Sequence, residues 1–227
     1  MVDYTKPAKP APGATAAATG GSPVSLSKVT LTKASPSVSL TKGGGASGVM
    51  RVNLNWNAKP AGGGGGFLKK LAGSGAIDLD LGCLWELHSG RKGVVQALGN
   101  AFGRLDDAPY VQLDGDDRSG SVSGGENLSI NLDHLDKIKR ILVFAYIYEG
   151  VPAWDKADGV VTLHPVGSAP IEVRLDEGSG ARMCAIALLE NAGGSLKVNR
   201  EVRYVQGSQK TLDEAYGWGM DWAAGRK

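Results

Sequence analysis

The stretch AIDLDLGCLWEL at residues 76–87 decides the fold of this chain. Its isoleucine and leucine residues alternate with Asp78 and Asp80, and a period of two is the pattern of a β-strand whose faces lie in different surroundings. We predict that the apolar side chains face the core and that the two carboxylates project side by side from the other face. Two like charges this close repel each other unless one is protonated or a cation lies between them.

Further short strands are predicted on both sides of this stretch, from polar–apolar alternation or short apolar runs separated by glycine-containing turns. They are residues 24–33, 38–42, 49–56, 94–98, 110–113, 127–132, 141–148, 160–166, 171–175, 182–190 and 195–205. A helical pattern is confined to residues 211–217. Many short strands with glycine turns predict an all-β sandwich or barrel.

The first two predicted strands have similar sequences. Residues 24–33 read VSLSKVTLTK, residues 38–42 read VSLTK, and Pro36 lies between them. Because proline favours turns and strand edges, we interpret the pair as a duplicated hairpin.

The chain is unusually rich in glycine, with 34 of 227 residues, or about 15% against a typical share near 7%. Residues 1–23 are predicted to be a disordered tail rich in proline, alanine and glycine. No linker divides residues 24–227, which we predict to be one domain. Residues 57–75 contain five consecutive glycines and are predicted to form a long, flexible loop.

The composition argues against several classes of protein. Basic and acidic residues are nearly balanced, 25 against 23, so direct nucleic-acid binding is not expected. No apolar run approaches the roughly 18 residues that span a bilayer, and the N-terminus lacks a signal-peptide core. The chain is therefore expected to be cytoplasmic, with peripheral membrane association as the alternative.

Motifs for zinc binding and for common catalytic sites are not found. The two cysteines, Cys83 and Cys184, cannot build a four-cysteine zinc site, and their apolar neighbours predict buried free thiols in a reducing compartment. The three histidines lie in unrelated contexts, and the chain has no G-x-S-x-G, H-E-x-x-H or P-loop sequence.

Acidic residues and glycines occur together in two further segments. LDGDDRSG contains Asp114, Asp116 and Asp117, and a later segment places Glu126 after two glycines. Carboxylates and inward-turned carbonyls are the ligands of calcium, which takes roughly six to eight oxygens. A solvated hairpin turn in which Arg118 pairs with an aspartate would also explain the first segment, and the residues alone leave both interpretations open.

The order of several motifs resembles one protein family. The motifs are VSLTK, NLNW, DLDLGCLWEL, KGVVQALGNAFG, PYVQLDGDDRSG, GGENLSINL, KIKRILVFAYIYEG and AYGWGMDW. In this order they resemble the TerD superfamily of tellurium-resistance and stress proteins, and most closely its TerA-like branch. The resemblance covers residues 24–224.

This resemblance implies an antiparallel β-sandwich of two sheets, with glycine-rich loops and a short C-terminal helical segment. It also implies calcium bound at one end of the sandwich by a D-x-D strand motif and an acidic loop. The implied metal ligands are Asp78, Asp80, Asp116, Asp117 and Glu126, with Asp114 as a further candidate. The family is associated with tellurite and oxidative-stress resistance and with membrane-associated multiprotein complexes.

The chain departs from the simpler TerD pattern in three places. Ala76 stands at the first position of a D-x-D-x-D motif, glycines 124–125 replace an acidic pair, and the loop 57–75 is inserted. At least two expected carboxylates are therefore missing. We predict one calcium site, and a second site lacks part of its ligand set.

We thus expect a non-enzymatic calcium-binding module of a tellurite and stress-resistance complex, in which the cation orders the acidic loops for partner binding. The expected partners are other tellurium-resistance and stress proteins, with the membrane surface as one place of contact. The alternative is a small-molecule or nucleotide binding protein, or a metal-dependent enzyme, that uses the same loops. The C-terminal AYGWGMDW is either an exposed aromatic contact surface or a plug that closes the sandwich.

Overall fold

The computed structural model describes residues 27–57, 77–114, 124–150 and 153–223. Within these residues, thirteen strands and two short α-helices follow one another along the chain. They are β1 (Val29–Thr30), β2 (Ser37–Leu40), β3 (Val49–Asn55), β4 (Asp78–Leu87), β5 (Lys92–Gln96), β6 (Gly103–Arg104), β7 (Val111–Leu113), β8 (Glu126–Asn131), β9 (Ile138–Glu149), α1 (Trp154–Ala157), β10 (Gly159–His164), β11 (Ile171–Leu175), β12 (Met183–Ala192), β13 (Ser195–Val205) and α2 (Gln209–Tyr216). The predicted tail 1–23 and nearly all of the loop 57–75 lie outside the described residues.

The strands form two sheets that face each other. The seven-stranded sheet has the order β1-β11-β10-β3-β8-β7-β6, and the six-stranded sheet has the order β2-β13-β12-β9-β4-β5. All described pairings between strands are antiparallel except that of β1 with β11, in which Val29 lies opposite Ile171. The prediction of an all-β sandwich of two sheets with a C-terminal helix is confirmed.

The core lies between the sheets because each strand buries every second side chain. In β3, Met50, Val52 and Leu54 are fully buried, whereas the residues between them point to the outer face of the seven-stranded sheet. Both cysteines are free and buried, as predicted. In the part of the chain that the structure describes, no helix has the length and apolar character needed to cross a membrane.

The predicted hairpin between the first two strands is wrong. Strand β1 joins the seven-stranded sheet beside β11, whereas β2 joins the six-stranded sheet, where Val38 lies opposite Val198 of β13. The alternation in 24–42 correctly indicated half-buried strands. It could not indicate the partner, because the period of two is the same for either sheet.

The outer face of the six-stranded sheet carries a second, smaller core. Leu84 and Phe144 are fully buried there beneath the C-terminal segment, by which we mean residues 209–222. Trp218 of this segment is fully buried, and its indole nitrogen donates a hydrogen bond to the Trp85 carbonyl at 3.1 Å. AYGWGMDW is thus packed and not an exposed contact surface, but it covers the outer face of the six-stranded sheet and does not close the space between the two sheets.

Candidate metal centre

The two aspartates of β4 lie where the alternation predicted them. Asp78 is 8% exposed and Asp80 is 0% exposed, while the apolar residues between and beside them belong to the core between the sheets. Strand β9 pairs with β4 along this whole stretch, so that Asp80 lies opposite Tyr146. Strand β5 pairs only with residues 82–86. The other edge of β4 is therefore not covered by β5 at the two aspartates.

Glu126 reaches this edge from the opposite sheet. It begins β8, is 2% exposed, and its Oε2 accepts a hydrogen bond from the backbone nitrogen of Leu81 at 2.5 Å. Its carboxylate thus contacts the peptide group that follows Asp80. Two sheets bring three buried carboxylates, those of Asp78, Asp80 and Glu126, to one end of the sandwich.

The turn before Glu126 is fixed by its glycine and by an asparagine. Gly125 has φ +60°, and a Cβ at this position would lie 2.1 Å from the Leu54 carbonyl oxygen. The Asn53 amide donates hydrogen bonds to the Glu126 carbonyl at 3.4 Å and to the carbonyl of Gly124. Gly124 itself has open space around its Cβ position. The replacement of an acidic residue by glycine is therefore sterically required at 125 but not at 124.

The second acidic segment leaves the sandwich beside Glu126. The exposed Asp114 follows β7, and its backbone nitrogen donates to the carbonyl of Asn127, the neighbour of Glu126, at 3.0 Å. Asp116 and Asp117 come two and three residues later and lie outside the described residues.

The described carboxylates do not form a complete metal site. In residues 27–57, 77–114, 124–150 and 153–223, no group of three or more histidine, cysteine, aspartate or glutamate side chains is arranged to hold a metal ion. The structure thus brings Asp78, Asp80 and Glu126 to one end and places Asp114 at the start of the acidic segment. Further oxygens would have to come from backbone carbonyls, water or the segment after Asp114.

A third acidic residue of β4 shows how the fold accommodates a buried carboxylate elsewhere. Glu86 is 4% exposed and accepts hydrogen bonds from Lys139 Nζ at 2.8 Å and Arg140 Nε at 2.6 Å. Burial alone would raise the pKa of this carboxyl, but the hydrogen bonds and charges of Lys139 and Arg140 outweigh burial and hold its pKa below the usual range.

Sequence reasoning missed two features of this end. The contact of Glu126 with Leu81 depends on the packing of two sheets, which alternation within one strand does not report. The role of Asn53 had a sequence signal, because asparagine is disfavoured in strands and needs a reason to stand within β3.

Comparisons with solved structures define the class of fold. A homologue of telluride resistance protein (TerD), SCO6318 from Streptomyces coelicolor A3(2), superposes with a TM-score of 0.54 at 19% identity, over 77% of this chain and 99% of that one. SAV2460, a protein of unknown function, gives a TM-score of 0.55 at 15% identity, over 74% of this chain and 95% of that one. These likenesses concern the fold alone.

A comparison of sequences indicates the branch of the superfamily that this chain resembles. The chain is 52% identical over 206 residues to the tellurium resistance protein TerA of an Alcaligenes species. The match covers 90% of this chain, which spans 60% of the length of that relative. No family model matches the chain. The similarity in sequence to a TerA protein, together with the similarity in fold to a TerD homologue, supports the TerD superfamily and its TerA-like branch.

Proposed function

We propose that this protein is a non-enzymatic calcium-binding module that acts in tellurite resistance. The observation that carries the proposal is the hydrogen bond that holds the Glu126 carboxylate on the Leu81 peptide nitrogen, next to Asp80, at the end of the sandwich where the acidic segment starts at Asp114. The role in tellurite resistance rests on the similarity to a tellurium resistance protein.

The donor chemistry of this end suits a hard cation. Carboxylate oxygens are ligands that calcium prefers, and buried carboxylates on neighbouring positions repel one another while they are ionised. Bound calcium would supply positive charge and bring in oxygens from the acidic segment. Asp116 and Asp117 are the nearest side chains in sequence that could complete the ligand set.

Hydrogen bonds within the chain fix the residues on one side of such a site. The hydrogen bond from Leu81 fixes the Glu126 carboxylate against β4, and the Asn53 amide fixes the turn that carries Glu126. The backbone of Asp114 is tied to the same turn. A cation bound both by these residues and by the segment after Asp114 would create a surface formed by both sheets and the loop. We propose that other tellurium-resistance proteins bind this surface.

Calorimetry and thermal unfolding test the calcium proposal directly. We expect a measurable heat of binding and a melting temperature that rises with calcium, since a ligand that binds only the folded state stabilises it by about 2.7 kcal/mol at 100 times its Kd. The double variant Asp116→Asn/Asp117→Asn should lose most of both effects and still fold, because it leaves the buried carboxylates intact. The double variant Asp78→Asn/Asp80→Asn should lose them as well.

The matched control is Asp136→Asn. Asp136 is exposed and lies just before the start of β9, at the end of this strand away from Glu149, which pairs with Asp78. Its replacement should leave the calcium response unchanged. The proposal fails if the wild-type protein shows neither heat nor a thermal shift, or if Asp136→Asn weakens the response as much as the loop variant does. Capture of other Ter proteins in calcium but not in chelator would support the partner role, and equal capture in both would overturn it.

A further inference from the structure

The face of β4 that carries the two aspartates is the face that the C-terminal segment covers farther along the strand. Strand β4 is regular from Leu79 to Glu86, so Asp80, Gly82 and Leu84 lie on one side of it. Leu84 belongs to the second core on the outer face of the six-stranded sheet, whereas Leu79 belongs to the core between the sheets. The aspartates of the proposed calcium centre and the second core thus share one sheet face.

Aromatic side chains connect Asp80 with the second core. In the register with β9, Asp80 lies opposite Tyr146 and Gly82 lies opposite Phe144, and side chains at such positions are neighbours across the strands. The Phe144 ring lies directly on Gly82, because a Cβ there would be 2.8 Å from the Cζ of this ring. Tyr146 and Phe144 both belong to the second core, and their ring centres are 6.3 Å apart. Asp80, which is fully buried, therefore lies at the border of this core.

The C-terminal segment packs on the same part of the sheet. Its Trp218 is fully buried in the second core. Gln209, the first residue of α2, donates a hydrogen bond from its Nε2 to Gln96 Oε1 at 3.0 Å, and Gln96 lies opposite Gly82. Both amide side chains are buried. The segment thus contacts the row of side chains that follows Asp80.

Covering this face has an electrostatic cost that a cation would remove. An ionised carboxylate loses hydration when apolar groups cover it, and neighbouring carboxylates repel each other more strongly in a medium of low dielectric constant. The negative charge of Asp78 and Asp80 therefore opposes the packing of the segment beside them. Calcium held by the proposed centre would compensate that charge. Because coupling between two binding events is reciprocal, the packed segment would in turn strengthen calcium binding by the same factor.

We propose that calcium controls how firmly the C-terminal segment is held on the sheet. The segment packs tightly when calcium is bound and opens more often when calcium is absent. This inference rests on the proposed calcium-binding function and adds a regulated element to it. Opening of the segment exposes the apolar side chains of Leu84 and Phe144, so that the state of the metal centre changes a second surface of the protein.

Hydrogen–deuterium exchange on the whole chain tests the proposal. The exchange of residues 209–222 is compared in saturating calcium and in chelator, after calorimetry has measured calcium binding on the same sample. We expect calcium to slow this exchange by about fivefold or more and to leave the turn between β12 and β13 unchanged. In chelator the segment should exchange faster than β9, as local opening requires. Equal exchange of the segment in both conditions overturns the proposal, as does exchange at the rate of β9, which would mean that the segment opens only with the whole protein.

A pair of variants tests the reciprocal effect on calcium affinity. Trp218→Ala loosens the segment, and calorimetry should show calcium binding weakened by about fivefold or more. The matched control is Leu163→Ala, which truncates a fully buried side chain of β10 in the other sheet and should leave the affinity of the folded protein unchanged. Equal affinities of Trp218→Ala and the wild type overturn the proposal, as does an equal loss in both variants.

The two measurements separate this inference from the proposed function. If Trp218→Ala does not fold, the exchange measurement on the wild type decides. Calcium binding without an effect on the segment overturns the coupling alone. Absence of calcium binding overturns the proposed calcium function and the coupling with it.

Discussion

The two outer faces of this sandwich are built in opposite ways. The outer face of the six-stranded sheet buries Leu84 and Phe144 beneath the C-terminal segment, with Trp218 fully buried. The outer face of the seven-stranded sheet carries asparagine, threonine and charged side chains, and Asn55 is exposed there. Strand alternation thus sets which side chains point outward, while the identity of those side chains decides whether a face is covered or left open.

The covered face is held by polar contacts as well as by burial. The Arg140 guanidinium lies 3.8 Å from the centre of a Trp218 ring and donates to the carbonyls of Tyr216 and Gly217. The Asp213 carboxylate accepts from the Gly219 backbone at 2.7 Å and from the Met220 backbone at 2.9 Å. These bonds fix the path of the chain that places Trp218 on the sheet.

The largest expected effect is the loss of the Trp218 side chain from the covered face. Trp218→Ala should lower the free energy of unfolding by about 3–5 kcal/mol, because it leaves a cavity over the six-stranded sheet. Chemical denaturation measures this. Val166→Ala is the control, since Val166 is 55% exposed and its change should stay within about 0.5 kcal/mol. Equal losses for the two variants would show that the C-terminal segment contributes no core.

A smaller effect is expected at the end of the seven-stranded sheet. Gly125→Asp should cost about 2–4 kcal/mol, since the left-handed backbone and the close Leu54 carbonyl both oppose a side chain. Gly124→Asp should be tolerated within about 0.5 kcal/mol, because its Cβ position is open. It should also tighten calcium binding, by adding a carboxylate near Glu126. Urea denaturation and calcium calorimetry on both variants check the pair, and similar stability losses would contradict the steric argument.

The next effect depends on pH and concerns the covered face. The pKa of Glu86 is lower in the folded state, so its ion pairs contribute stability that is present above the ordinary carboxyl pKa and is lost as pH falls through the folded-state pKa. Glu86→Gln should therefore lower the free energy of unfolding by about 1–2 kcal/mol at neutral pH. The difference from wild type should shrink below about pH 4. Denaturation curves across this pH range test it, and a difference independent of pH would exclude the ionic origin.

The smallest effect is expected on the open face. Asn55→Ala should change the free energy of unfolding by less than about 0.5 kcal/mol, because the side chain is exposed and makes no hydrogen bond to the described residues. A loss above about 1 kcal/mol would mean that this side chain contributes to the stability of the fold.

Much of the fold could be predicted because alternation is a local property. β4 confirms this: the pattern of 76–87 placed Leu79 and Leu81 in the core and both aspartates on the other face. The partners of β1 and β2 could not be predicted, since sheet membership depends on residues more than 100 positions away, such as Ile171 and Val198.

The candidate site divides in the same way. The side-by-side placement of Asp78 and Asp80 could be predicted from the alternation within one strand. The approach of Glu126 from the other sheet could not. The sequence indicates that the glycines before Glu126 stand where carboxylates are expected and that they let backbone carbonyls turn inward. The structure shows that a side chain at one of them, Gly125, would clash with the Leu54 carbonyl oxygen. No local sequence pattern indicates this contact.

The burial of the two cysteines has a consequence for redox chemistry. Burial raises the pKa of both the Cys83 and the Cys184 thiol. The thiolate is the reactive form of cysteine, so at neutral pH these side chains present almost no nucleophile to an oxidant or to a soft electrophile. Both thiols are therefore protected in the folded protein, and sensitivity to thiol reagents should appear only on unfolding.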